Sequence, residues 1–232
     1  MTGWWLDERR YAGPEHLDPI YVAGYDKKAG FDPAEDLRAL RDRGMGSDSI
    51  VVDLGAGTGT FAVAAALLCR HVVAVDVSPA MTALLRERVE VLGLDNLSII
   101  DAGFLTYEHR GEPADVVFTR NALHHLPDFW KAIALRRMAS FLRPGGLLRL
   151  HDLVFDFLPS DAEKRIETWM AGGVSDPAVG WTPAELGEHA GGEFSTYSWL
   201  FDVMLDRTGF DITDRSFRRA VHATYTCTRR PT

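Results

Sequence analysis

The stretch IVVDLGAGTGTFA at residues 50–62 decides how this chain folds. A β-branched apolar run breaks into three glycines spaced two apart, and an alanine-rich helical pattern follows. A strand that turns into a helix through glycines lets the main chain approach a ligand and aims unpaired N–H groups into the crevice beyond the strand. Within it, Gly57-Thr58-Gly59-Thr60-Phe61-Ala62 satisfies GxGxxA, which on its own admits a dinucleotide as readily as another adenosine cofactor.

Working outward, strand-like runs recur at residues 49–54, 71–77, 96–101, 114–120 and 146–152, with helical patterns between them. Ser78-Pro79 opens the second of these helices and Gly93 stops it; Asp128 is read as the N-cap of the third. Two alternating runs, FDITDRSFRR and AVHATYTCTRR, close the chain and read as an antiparallel pair. The expected fold is α/β: a Rossmann-like, seven-stranded, mostly parallel sheet with one antiparallel edge strand, helices on both faces and a helical cap. Residues 1–232 read as a single domain, with a helical and aromatic segment over 1–46 and a helical insertion over 153–200 that forms the cap.

With 232 residues and 46% hydrophobic content, the chain is long enough to bury one full core. Its net charge of −8, with 25 scattered basic residues, leaves no footprint for nucleic acid or a membrane surface, so a small-molecule partner is expected. Cys69 and Cys227 have no metal-ligand spacing and read as free thiols of a reducing compartment. The start, MTGWWLDERR, lacks the pattern of a signal peptide, and no apolar run approaches a membrane span. The expected location is cytoplasmic. Trp4, Trp5 and Tyr11 leave two choices open, closing a pocket or packing on a second copy in a homodimer.

Of three acids at strand ends, Asp53 and Asp101 narrow the ligand, while Asp76 suits NAD and other adenosine cofactors alike. Asp53 lies two residues before the first glycine, where a carboxylate suits a cationic head better than a pyrophosphate. Asp76 ends the second strand, 17 residues after Gly59, and suits the ribose hydroxyls. Asp101-Ala102 ends the third strand, placed to read an adenine edge.

Taken in order, VVDLGAGTGTFA, VVAVDVS, IIDAGFL, DVVFTRNALHHLPD and FLRPGGLLRLHD resemble the motifs of class I S-adenosylmethionine-dependent methyltransferases, over roughly residues 20–153. The resemblance implies S-adenosyl-L-methionine as cofactor, with Gly55, Ala56 and Gly57 against its methionine part beside Asp53. It also implies Asp76 and Val77 at the ribose, Asp101, Ala102 and Gly103 at the adenine, and Asn121 alongside. The segment YVAGYDKKA is similar to one that folds over the cofactor, which makes Tyr25 and Lys28 candidates near its carboxylate.

His124 and His125 follow the fourth strand and His151 ends the fifth with Asp152; each is a candidate base, set against a role in shaping the loop. No metal site is expected, because adjacent histidines point apart on most backbones. Glu193 stands as either a pocket acid or a helix-end acid. Trp169, Trp181, Tyr197 and Trp199 suggest an apolar or aromatic acceptor pocket. The expected activity is methyl transfer to an O or N atom of a small molecule by in-line displacement. The alternatives are a noncatalytic S-adenosylmethionine-binding protein, an NAD-dependent oxidoreductase, a macromolecular acceptor, or cyclisation of the cofactor itself.

Overall fold

A computed structural model describes residues 3–13 and 15–231. Two helices, α1 (Pro19–Ala29) and α2 (Ala34–Arg41), precede β1 (Ile50–Leu54). Strand and helix then alternate through α3 (Thr60–Ala66), β2 (His71–Asp76), α4 (Pro79–Leu92), β3 (Leu97–Asp101), β4 (Ala114–Arg120), α5 (Asp128–Phe141) and β5 (Leu142–Phe155). The remainder is α6 (Ala162–Met170), α7 (Pro183–Gly191), the two-residue β6 (Thr196–Tyr197), α8 (Ser198–Arg207), β7 (Phe210–Arg218) and β8 (His222–Arg229).

Seven strands form one sheet in the order β3-β2-β1-β4-β5-β8-β7, and β6 adds a short parallel pairing to β5. The antiparallel pairing lies at the expected end of the sheet, and the reversed strand is β8, inserted between β5 and the rim strand β7. β1 is covered by helices on both sides, so its apolar run is nearly continuous and buried, whereas β7 exposes most of its residues. Strand order reverses between β1 and β4, which opens a crevice at their carboxyl ends.

Local chemistry accounts for the helix ends. Ser78 accepts from the Met81 N–H, Pro79 occupies the first turn, and Gly93 closes α4 in the left-handed region. Asp128 is not the cap expected of it: Pro127 precedes the helix, and the Asp128 carboxylate accepts from Lys131 Nζ at 2.7 Å and the Thr196 hydroxyl at 3.1 Å. The stretch YVAGYDKKA, read as an aromatic segment, is the body of α1, capped by Asp18 with Pro19 in the first turn.

The aromatic residues expected to line an acceptor pocket do not gather there. Trp169 is buried in a small separate core with Phe155, Phe157 and Leu186, against which Tyr197 packs. Trp199 is 54% exposed on α8, and of the four, Trp181 lines the cavity beside the glycine turn. An insertion this short needs its large side chains to build its own core. Among the described residues no helix is long and apolar enough to cross a membrane.

Candidate active site

Gly55, Gly57 and Gly59 all adopt positive φ, at 72°, 55° and 84°. At Gly55 close approach matters as well, since a Cβ there would lie 2.5 Å from the Ala122 Cβ. This brings the turn after β1 against the exit of β4. Asp76 holds the turn from the neighbouring strand: Oδ2 accepts from the Gly57 N–H at 2.7 Å and Oδ1 from the Ser78 N–H at 2.8 Å.

Two adjoining cavities of about 660 Å³ each open above this turn and share Tyr25, Gly55, Gly57, Arg120 and Asn121. Asp76, Val77 and Gly103 line the first, with Glu8, Phe104 and His125; Asp53 and Ala56 line the second, with Phe31 and Trp181. Burial lifts the Asp76 carboxyl above its usual range against the Ser78 and Gly57 N–H groups, and it lifts Asp53 further, with the nearby Asp76 adding to the rise. Asp53 Oδ2 is buried with no hydrogen-bond partner. An orphaned acid beside a second buried acid fits a ligand that brings positive charge, and it would repel a pyrophosphate. Burial also pushes Tyr25 up to about 12, keeping its hydroxyl protonated between the two cavities.

Asn121 leaves β4 at φ 48°, its N–H donating to the His151 carbonyl at 2.9 Å. Asparagine tolerates this left-handed geometry, which directs the chain across the crevice. The N-terminal segment closes over the opposite side: the Ser78 hydroxyl donates to the His16 carbonyl at 2.6 Å, and Asp26 of α1 pairs with Thr58 and Arg88.

Several expected residues lie elsewhere. Lys28 lines neither cavity; its ammonium pairs with Glu185 and sits 4.7 Å from the centroid of the Trp181 ring. The Asp101 carboxylate accepts from the Thr82 hydroxyl at 2.6 Å and from Arg86 at 2.7 Å, a cation-bearing helix face that draws it away from the crevice. Asp101 and Ala102 line a separate surface groove, whereas Gly103 and Phe104 face the first cavity. There Glu8 reaches in from the N-terminal segment, accepting from the Leu105 N–H at 3.1 Å and the Thr106 hydroxyl at 2.8 Å.

The three candidate histidines have three different surroundings. His124 is buried between carboxylates, Nδ1 lying 2.5 Å from Asp152 Oδ1 and Nε2 3.2 Å from Glu193 Oε2. Burial alone would lower its pKa, but Asp152 and Glu193 together raise it to about 9, so the ring is an imidazolium locked in an ion network. His125 faces the first cavity; burial, then the charge on His124, lowers it to about 3, which leaves it neutral. His151 is held away from both cavities by Asp36, 2.6 Å from Nε2, and by Thr224, 2.8 Å from Nδ1.

The two adjacent rings do not point apart as expected. Their centroids lie 4.3 Å apart, and Glu193 closes on both, so His124, His125 and Glu193 form a cluster of metal-ligand type. Glu193 also accepts from His189, whose Nδ1 is 2.5 Å away.

Sequence reading missed Glu8, Arg120 and His222. Arg120 lines both cavities and stacks on Phe31, with its guanidinium carbon 4.2 Å from the ring centroid. Its position at the last residue of β4, on the functional side of the sheet, was the available signal. Glu8 and His222 had none, because each is brought in by long-range packing.

A family model described as a methyltransferase domain matches residues 51–146. A relative in Anoxybacillus flavithermus, named an uncharacterized methyltransferase, is 29% identical over 109 residues, covering 47% of this chain and 49% of that one. The chain thus spans about half the length of that relative. In fold, it matches an S-adenosylmethionine-dependent methyltransferase of Aquifex aeolicus with TM-score 0.62 at 18% identity, covering 91% of this chain and 98% of that one. A phosphoethanolamine N-methyltransferase of Haemonchus contortus, solved with phosphomonomethylethanolamine and S-adenosylhomocysteine, gives TM-score 0.69 at 16% identity over 98% of this chain and 61% of that one.

Proposed function

We propose that this chain is a class I S-adenosylmethionine-dependent methyltransferase, as the methyltransferase-domain match over residues 51–146 and the fold support, and that it methylates an O or N atom of a small molecule by in-line displacement. The observation that carries this reading is Asp53 Oδ2, a buried oxygen without a partner in a cavity floored by the glycine turn. A cofactor with an ammonium and a sulfonium satisfies that charge, whereas NAD would bring its pyrophosphate to the glycine turn beside two buried acids. Bound S-adenosylmethionine supplies the activated methyl group.

The protein's own residues divide the remaining work. Asp53, Gly55, Ala56 and Gly57 hold the methionine end, Asp76 and Val77 the ribose, and Gly103 with Glu8 the adenine side. Tyr25 and Asn121 stand where the two cavities join, beside the path an acceptor must take. The described part of the 1–46 segment closes over the cofactor and the 153–200 insertion contributes Trp181 to the second cavity; this enclosure excludes water and supplies much of the rate through alignment. Charge on a neutral acceptor is dispersed in the transition state, so the site needs a proton acceptor more than a strong base. Of the three histidines His125 is the candidate proton acceptor because it alone lines the crevice; burial and the His124 charge, which lower it to about 3, make it a weak base. His124 is the charged partner that keeps it so, and His151 belongs to the floor of the sheet. Asp101, Ala102 and Lys28 act at one remove, as supports of β3 and α1.

The test is production of S-adenosylhomocysteine with a panel of amine and hydroxyl acceptors. His125→Ala lowers kcat by about 10²–10⁴ with cofactor affinity retained. A variant as active as the parent removes His125 from the mechanism. Binding of S-adenosylmethionine with no acceptor methylated across the panel favours the noncatalytic binder.

A further inference from the structure

A third cleft, of about 1090 Å³, runs along the carboxyl ends of β4, β5 and the β7–β8 turn, and it meets the two cofactor cavities at Arg120 and Asn121. Its lining is polar. Arg120 pairs with His151 across the β4–β5 register, and Arg218 with His222 across the β7–β8 register, so the four residues face the cleft from four strands.

The charges in this cleft are unequally satisfied. Asp36 at its floor is neutralised by Arg149, 2.8 Å away, and by His151, 2.6 Å away, and Asp152 is taken by His124. Asp32, Glu35 and Asp214 also line it; all three are exposed and solvated, as is Arg218, whereas Arg120 is partly buried. Among the described residues neither Arg120 nor Arg218 makes a salt bridge or donates a side-chain hydrogen bond. Burial weakens the charge on Arg120, and Arg218 weakens it further; burial together with Arg218 and Arg120 lowers His222 to about 3. Asp36 and Asp152 offset part of this, since both raise Arg120 and Asp152 raises His222, but among the described residues neither carboxylate forms an ion pair with Arg120 or Arg218.

We propose that this cleft is the acceptor site and that it selects an acceptor bearing a carboxylate or phosphate, gripped by Arg120 and Arg218 while the atom to be methylated lies toward Asn121 and the cofactor cavities. The guanidinium fork matches either oxyanion. The anion relieves the repulsion among Arg120, Arg218 and His222, and neutral His222 can donate or accept beside it. This assignment rests on the methyltransferase reading and narrows its substrate class. It also replaces the apolar pocket expected from the tryptophans with a polar, anion-selective one.

The experiment uses the whole protein saturated with S-adenosylhomocysteine, so that the cofactor's own carboxylate cannot compete as a titrant. Inorganic phosphate, acetate and methylammonium are titrated in turn, followed by NMR of the arginine side chains. Saturable binding of phosphate or acetate, at least tenfold weaker in Arg218→Gln with S-adenosylhomocysteine affinity unchanged, is the expected result. Whichever of the two anions binds more tightly identifies the oxyanion. Binding of methylammonium in place of the anions overturns the proposal in favour of the acidic rim. Anion binding that Arg218→Gln leaves intact, or no anion binding at all, overturns it too. Failure of S-adenosylhomocysteine itself to bind defeats the methyltransferase reading instead; phosphate and acetate titrated into the free protein then test the anion site by the same Arg218→Gln criterion.

Discussion

Replacing Asp53 with asparagine keeps the shape of the side chain and removes its charge. In the free protein Asp53 is 2% exposed, one oxygen is orphaned, and burial with Asp76 nearby holds the carboxyl well above its usual range. A cation about 4 Å away at an effective dielectric near 20 would gain about 4 kcal/mol from the ionised acid. Against this, ionising the acid costs about 1.4 kcal/mol for each pH unit by which its raised pKa exceeds the solution pH. The net is taken as that of a hydrogen bond to a charged group, about 1.5–3 kcal/mol, which makes S-adenosylmethionine binding to Asp53→Asn about 10- to 150-fold weaker. The sign of the pH dependence follows. An acid whose folded pKa is raised penalises the free fold as pH rises above the unfolded value, and the bound cation removes that penalty. Affinity of the parent therefore rises with pH below the raised pKa, with proton release on binding, while the slope flattens in Asp53→Asn, which is at least as stable without ligand. Calorimetry at several pH values, in buffers of different ionisation enthalpy, reads affinity and proton release together. Equal affinity and equal pH slope in parent and variant would refute the reasoning.

Two further outcomes test the surroundings. The His124 pKa is raised to about 9 by its carboxylate partners, so stability from that ion network is complete below the unfolded value of 6.5 and is lost as pH rises through 9. The urea midpoint falls over that interval in the parent, and the fall disappears in His124→Gln. Asp101→Asn changes S-adenosylhomocysteine affinity by less than about threefold, because the carboxylate is partly solvent-exposed and engaged by Thr82 and Arg86; a larger loss by calorimetry places Asp101 at the adenine after all.

What could be read from sequence was whatever local spacing controls. The glycines after β1, the Ser78-Pro79 cap, the Gly93 stop and the first four strands each depend on neighbours in the chain, and each stands within a residue of where its spacing put it; β5 instead begins at Leu142, takes in the Pro144-Gly145 pair expected to end the third helix, and leaves that helix to stop at Phe141. The glycine turn and Asp76 were legible for the same reason. Asp101 was misdirected because α4 offers Thr82 and Arg86, whose reach no single-strand pattern records. The tryptophans of the insertion announced hydrophobicity but not its direction: Trp169 turned inward to a separate core, Trp181 packs between that core and the second cavity, and Trp199 stayed exposed. Arg120, His222 and Glu8 meet the crevice only once β4, the β7–β8 hairpin and the N-terminal turn converge. The paired histidines were brought together by Glu193, about seventy residues downstream and beyond any local rule.

The most direct test is calorimetric titration of the protein with S-adenosylmethionine, S-adenosylhomocysteine and NAD in parallel, repeated on Asp76→Asn, with circular dichroism to verify folding of the variant. The account predicts that the first two bind the parent, that NAD does not, and that the variant loses affinity because Asp76 faces the cavity as well as holding the Gly57 and Ser78 N–H groups. Binding of NAD alone, or S-adenosylmethionine affinity untouched in a folded Asp76→Asn protein, would contradict it.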